Sequence, residues 1–217
     1  MAQAASSSIF DLVEAPREGQ SKRDAIIAAA TLVFIDNGYE GASMDQVALA
    51  AGAARRTLYN QFPDGKPQIF RAVAERMWRA FPEMDIATDE AALSDPTIGL
   101  TRIARGVATF WAPPLAIAFL RLVIAEGRRF PDLTKTFFEV GKTQAMTAVR
   151  DYIGALGQRG LLTLADPDLA SKQFLGLVDE PVLWGRVMGD PVELTAQQLD
   201  AVVEGAVAIF LGHYTKA

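Results

Sequence analysis

An all-α fold is predicted by three features of this 217-residue sequence. Apolar residues recur at spacings of three and four along most of the chain, no run alternates convincingly between apolar and polar, and capping signals open the strongest helical stretches. Half of the residues are hydrophobic, enough to bury a substantial core. Cysteine is absent, so the fold uses neither disulfides nor thiolate metal sites.

The elements follow in order. Residues 1–20, "MAQAASSSIFDLVEAPREGQ", have neither the basic start nor the apolar stretch of a signal peptide and are expected to form a flexible arm. Ser21, with Asp24 three residues on, is the predicted N-cap of a helix over 22–37 that gathers Ile26, Ile27, Ala30, Val33 and Phe34 on one face. Gly38 is its left-handed stop, which lets Tyr39 pack back on Phe34. Ser43 and Gln46 form a capping box that opens a short helix to about Ala51, and Gly52 allows a tight turn. A third helix is expected over about 55–61. A fourth starts near Lys66 and Pro67 and carries Ile69, Phe70, Val73, Met77 and Phe81 at helical spacing.

The rest of the chain reads as longer helices. "DEAALSDP" is a loop or helix end; helices are expected at 97–112, closed by Pro113, and at about 114–129. One helix should run from Pro131 to about Gln158 and stop at Gly160. Asp166 caps the next, in which Pro181 should cause a kink or a break. Thr195 and Gln198 form another capping box, opening a final helix to about His213. About nine helices are expected in all, without an internal repeat. They divide into the arm, 1–20, a helix-turn-helix domain, 21–66, and a helical ligand-binding and dimerisation domain, 67–217.

Charge is distributed unevenly. The net charge is −5, which argues against a general polyanion binder. Residues 21–80, however, hold eight Lys/Arg against six Asp/Glu, whereas 81–217 hold twelve against seventeen. The basic surplus is therefore local, where a phosphate-facing surface would need it.

That segment contains "ASMDQVALAAGAARRTLYNQF", residues 42–62. A helix-turn-helix needs small residues where its helices cross, apolar anchors on each, and polar residues at the start of the second. Val47, Ala48 and Ala51 supply one set of anchors, Gly52 the turn and Leu58 the other side. Arg55, Arg56, Thr57, Tyr59 and Asn60 then point outward. Arginine suits such a helix because its planar fork can grip a guanine edge or a phosphate with two hydrogen bonds. Thr57, Tyr59 and Ser43 are candidate phosphate donors.

The stretch "RDAIIAAATLVFIDNGYEGASMDQVALAAGAARRTLYNQF" resembles the N-terminal domain of the TetR family of bacterial transcription regulators, over about residues 22–80. "FLRLVIAEGRRFPDLTKTFFEVG" resembles the AefR-like C-terminal domain of that family. The resemblance implies a dimer that binds double-stranded operator DNA through its first three helices and responds to a small ligand held by the C-terminal domain. It places Arg55, Arg56, Thr57, Tyr59 and Asn60 on the recognition helix and implies backbone contacts for Ser43 and Tyr59. It also implies a phosphate contact for Lys66, although "PDGKPQ" sets this lysine one residue later than is usual and Pro67 follows it. A second departure is Ala54, where a serine or threonine cap is usual. The segments 167–187 and 195–214 would supply the dimer interface.

Candidate ligand-binding residues are Phe110, Trp111, Phe119, Phe137 and Trp184, whose rings would suit an apolar or aromatic effector, with Arg121 and Gln144 as polar contacts. An enzyme is not expected. His213 is the only histidine and ends the last helix, no metal-ligand cluster appears, and "DGK" lacks the spacing of a phosphate-binding loop. No cofactor is called for. The apolar run at 111–125 is broken by Pro113, Pro114 and Arg121, so no membrane partner is expected; with no cysteine and no export signal, a cytoplasmic location is expected. The expected function is a ligand-released repressor. The alternative is a helical ligand-binding or interaction protein whose helix-turn-helix serves only as a packing unit.

Overall fold

Ser21 opens α1, Lys22–Gly41, by accepting the Asp24 N–H on its hydroxyl at 3.1 Å. The computed structural model describes residues 21–82, 84–190 and 194–215, so the expected arm over 1–20 lies outside the described residues. At Gly38 the helix breaks with φ +71°, a conformation glycine adopts without strain. Tyr39 turns back onto Phe34, with ring centroids 5.6 Å apart.

The next three helices are α2 (Met44–Ala50), α3 (Arg55–Gln61) and α4 (Lys66–Trp78). A 3-10 turn at Ile86–Thr88 precedes α5 (Glu90–Ser94), α6 (Pro96–Trp111), α7 (Pro114–Gly127) and α8 (Pro131–Phe137). A π-helical segment, Phe138–Lys142, leads into α9 (Thr143–Gln158), followed by α10 (Pro167–Asp179). A second π segment, Glu180–Trp184, leads into α11 (Gly185–Met188), and α12 (Ala196–Tyr214) ends the described chain. Among the described residues there is no strand.

The packing forms two units. One takes in the described residues up to Ala80 together with Pro113–Lys142; the other takes in Phe81–Ala112 and the described residues from Thr143 onward. Within the first unit α7 packs on α1 and α8 packs on α4.

Aromatic rings build the core of the first unit. Phe70 on α4 lies 6.0 Å from Phe34, 5.6 Å from Tyr39 and 5.4 Å from Phe119 of α7, centroid to centroid. Tyr39 also meets Phe130 at 5.2 Å. These rings are spaced for edge or offset packing, which adds to the burial of their area. Trp78, at the end of α4, lies over the π segment. A Cβ on Gly141 would come within 1.8 Å of Trp78 Cγ, so glycine is what lets the indole approach the backbone.

In the second unit, Tyr152 of α9 is fully buried and its hydroxyl donates to the Ala92 carbonyl at 2.9 Å. Gly99 makes room for it: a Cβ there would stand 1.9 Å from the Tyr152 oxygen. Burial, reinforced by the carboxylates of Asp95 and Asp89, pushes the Tyr152 hydroxyl well above the usual tyrosine range. Elsewhere Phe174 of α10 meets Phe210 of α12 at 5.1 Å.

The local signals place most elements as expected, including the caps at Ser21, Ser43, Asp166 and Thr195. Two segments differ. "DEAALSDP" is not merely a loop or helix end: Asp89 accepts the Ala92 N–H at 3.0 Å and caps α5, and Asp95 accepts the Thr97 N–H at 2.8 Å and caps α6. The helix expected to run unbroken over 131–158 is divided at the π segment where Trp78 crowds Gly141. Together with the short α11, these account for the excess over the expected nine helices.

Candidate nucleic-acid interface

The capping box at the start of α2 is complete. Ser43 Oγ accepts the Gln46 N–H at 3.2 Å, and Gln46 Oε1 accepts the Ser43 N–H at 2.8 Å. Such a pair satisfies two amide groups that a helix start leaves open. Val47, Ala48 and Leu58 are buried, so α2 and α3 are anchored by the apolar residues the sequence marks out. Gly52 makes the turn with φ +59°. Ala54 then starts α3 in extended conformation with no side-chain cap.

This anchoring turns the other face of α3 outward. Arg55, Arg56, Tyr59 and Asn60 are exposed, Thr57 is half-buried, and Ser43 is exposed at the start of α2. The two arginines differ in their surroundings. Arg55 Nη1 donates to Asp45 at 3.2 Å, and its guanidinium lies 5.7 Å from the Tyr59 ring centroid. Arg56 has no hydrogen bond or ion pair among the described residues. Asp45 is a part of this surface that the sequence reading missed, since nothing in the local pattern shows that the first turn of α2 faces the first turn of α3.

Three other basic residues nearby are held on backbone carbonyls. Arg23 donates to the Gln61 carbonyl at 2.9 Å and stacks 4.3 Å over Phe62, tying the start of α1 to the end of α3. Arg76 donates to the Asp24 carbonyl at 3.1 Å. Lys66 points back under the α1–α2 junction and donates to the carbonyls of Tyr39, Glu40 and Ala42 at 2.7, 3.2 and 3.0 Å. Burial lowers the Lys66 pKa, and the carboxylate of Glu126 opposes that shift. Arg23, Lys66 and Arg76 thus serve backbone carbonyls, while Arg55 and Arg56 lie on the outer face of α3.

The candidate ligand residues are divided between the units. Phe119, Phe137 and Arg121 belong to the first, where Phe119 and Phe137 are buried with centroids 6.4 Å apart and Arg121 is exposed. Phe110, Trp111, Gln144 and Trp184 belong to the second. There Phe110 and Trp111 are buried 4.8 Å apart, whereas Gln144 and Trp184 are exposed. The second unit also has a cleft of about 120 Å³, lined by Ala108, Ala112, Pro181, Val182, Arg186, Leu194 and Leu199, none of them among those candidates. Arg186 donates to the carbonyls of Trp111 and Ala112 at its edge, at 2.6 and 2.8 Å. No single helix among the described residues is long and apolar enough to cross a membrane.

An anchored α2, a glycine turn and an outward arginine-bearing α3 define a helix-turn-helix protein of the DNA-binding class. Comparison with known proteins makes the class specific. Residues 26–73 match the model of bacterial regulatory proteins of the tetR family, and residues 98–216, more than half of the chain, match that of the AefR-like transcriptional repressor C-terminal domain. The chain belongs to the TetR family.

The chain is 33% identical over 78 residues to the HTH-type transcriptional regulator LmrA of Bacillus subtilis, a match that spans 36% of this chain and 41% of LmrA. The fold also resembles the crystal structure of a TetR-family regulator from Mesorhizobium loti, with 28% identity, TM-score 0.75 and coverage of 90% of this chain and 97% of that one. The flavonoid-responsive regulator FrrA is similar at 26% identity and TM-score 0.71, over 89% of this chain and 97% of FrrA.

Proposed function

We propose that the protein is a ligand-released repressor that binds operator DNA as a two-fold dimer. The observation that carries this reading is the outer face of α3, where Arg56 is open and Arg55, Tyr59 and Asn60 are exposed beside it. Arg56 inserts into the major groove and grips a base edge, Arg55 and Thr57 flank it, and Tyr59 and Ser43 donate to phosphates. A cap-free α3 costs about 1 kcal/mol of local stability, which leaves its first turn free to adjust on the duplex.

Two copies are needed for two half-sites. Support for a dimer comes from apolar side chains exposed on the C-terminal helices: Leu169, Trp184, Met188 and Ile209 are 51%, 45%, 83% and 60% exposed. A second copy would cover them. The effector is a small apolar or aromatic molecule, in keeping with the buried pair Phe110 and Trp111 of the second unit and with the similarity to the flavonoid-responsive regulator FrrA. It releases DNA if it binds the released conformation more tightly than the operator-bound one. Selecting duplexes from a random library with purified protein tests the reading. Enrichment of a two-fold symmetric site supports it, and a library that stays unenriched contradicts it.

A further inference from the structure

The segment Gly38–Ala42, between the straight part of α1 and the start of α2, is held from two sides within the first unit. From α4, the Lys66 ammonium donates to the carbonyls of Tyr39, Glu40 and Ala42 at 2.7, 3.2 and 3.0 Å and lies 4.5 Å from the Tyr39 ring centroid. An ammonium has three N–H donors, and all three have an acceptor here. From α7, Glu126 Oε1 accepts the Tyr39 N–H at 3.1 Å, and Arg129, just beyond the helix, pairs with Glu40. The approach of Glu126 depends on Gly38, where a Cβ would stand 2.7 Å from the carboxylate oxygen. Ser43, the cap of α2, follows this held segment directly.

We propose that Lys66 and Glu126 are positioning residues for DNA binding, which clasp Gly38–Ala42 from α4 and α7 and so fix where Ser43 meets the duplex. The proposal rests on the DNA-binding reading above. It assigns Lys66 a role inside the protein rather than at a phosphate. Because both helices reach the same five residues, a displacement of α4 or α7 passes into the α1–α2 junction without either helix touching DNA.

The test uses a duplex selected with the full-length protein, titrated across a salt series with wild type, Lys66→Met, Glu126→Ala, Ser43→Ala and the Lys66→Met/Ser43→Ala double variant. Thermal unfolding and amide exchange are recorded for each. Lys66→Met and Glu126→Ala are each expected to weaken binding roughly ten-fold, within the range for coupled neighbours, at the salt slope of wild type. Exchange should rise over residues 38–46, and Ser43→Ala should cost little further once Lys66 is gone. A slope shallower by about 0.9 in Lys66→Met, the mark of one lost phosphate contact, overturns the proposal. Undiminished binding by Glu126→Ala, or full additivity with Ser43→Ala, does the same. If Lys66→Met does not fold, Glu126→Ala, which leaves Lys66 and its three carbonyl contacts in place, decides the matter. Failure of wild type to enrich any duplex sinks the DNA reading itself, an outcome distinct from each of these.

Discussion

Arg55, the first residue of α3, donates to Asp45 in the first turn of α2 at 3.2 Å, while Arg56 beside it has no such partner among the described residues. The pair is well exposed, at 65% and 63%, so it contributes little to stability. Its weight lies in how charge is presented to a duplex. Asp45→Asn removes a negative charge from this face and frees Arg55. Unfolding stability should stay within about 0.5 kcal/mol of wild type, while affinity for any duplex rises several-fold with a steeper salt dependence. Denaturant titration and duplex titration check the two halves, and weaker binding by this variant would contradict the picture.

Ala54 leaves the start of α3 without a side-chain cap although its backbone, φ −67° and ψ 142°, already has the extended form of an N-cap. Ala54→Ser should therefore add about 1 kcal/mol of stability, read as a raised urea midpoint. No gain would mean that the position cannot place a hydroxyl over the first amides of α3.

Gly141 lies under the Trp78 ring, where a Cβ would stand 1.8 Å from Cγ and 2.2 Å from Cβ of the tryptophan. Gly141→Ala cannot be absorbed by a flexible side-chain end, so it should cost about 1–3 kcal/mol. Thermal or chemical unfolding checks this, and a neutral effect would show that the π segment can reseat at no cost.

Tyr152 carries a pH signature. Its ionisation is pushed upward in the folded state by burial and by Asp95 and Asp89, while an unfolded tyrosine ionises near pH 10. Above about pH 10 the folded state thus holds a proton that the unfolded state has lost, and stability falls as pH rises, by up to about 1.4 kcal/mol per unit. Tyr39 is raised too, by burial and then by Asp132, and adds to the same trend. Tyr152→Phe should cost about 1 kcal/mol at neutral pH by losing the bond to Ala92, yet flatten the alkaline decline. Urea unfolding at pH 8, 10 and 11 separates the two effects; an unchanged alkaline slope would rule out Tyr152 as its source.

The helices were legible because local rules determine them. The cap at Ser21 and the boxes at Ser43/Gln46 and Thr195/Gln198 act over three residues, and Gly38 and Gly52 mark the backbone they require. The outward face of α3 was legible for the same reason, since burying Leu58 turns Arg55 and Arg56 away from the core. What escaped depends on contacts distant in sequence. The π segment at 138–142 lies where Trp78 meets Gly141, the inward turn of Lys66 answers to carbonyls more than twenty residues earlier, and the Tyr39–Glu126 bond spans 87 positions. The Lys66 case is instructive: the resemblance gave the residue type, and only the fold shows where its ammonium points.

The most direct measurement is duplex binding by Arg56→Ala against wild type, on a selected site and on an unrelated duplex of equal length, across a salt series. The expected result is a loss of roughly ten-fold or more on the selected site, the size of one bidentate base contact, with a much smaller loss on the unrelated duplex. Equal losses on both would show that Arg56 only neutralises phosphate, and no loss on either would contradict the assignment of α3 as the helix that reads DNA.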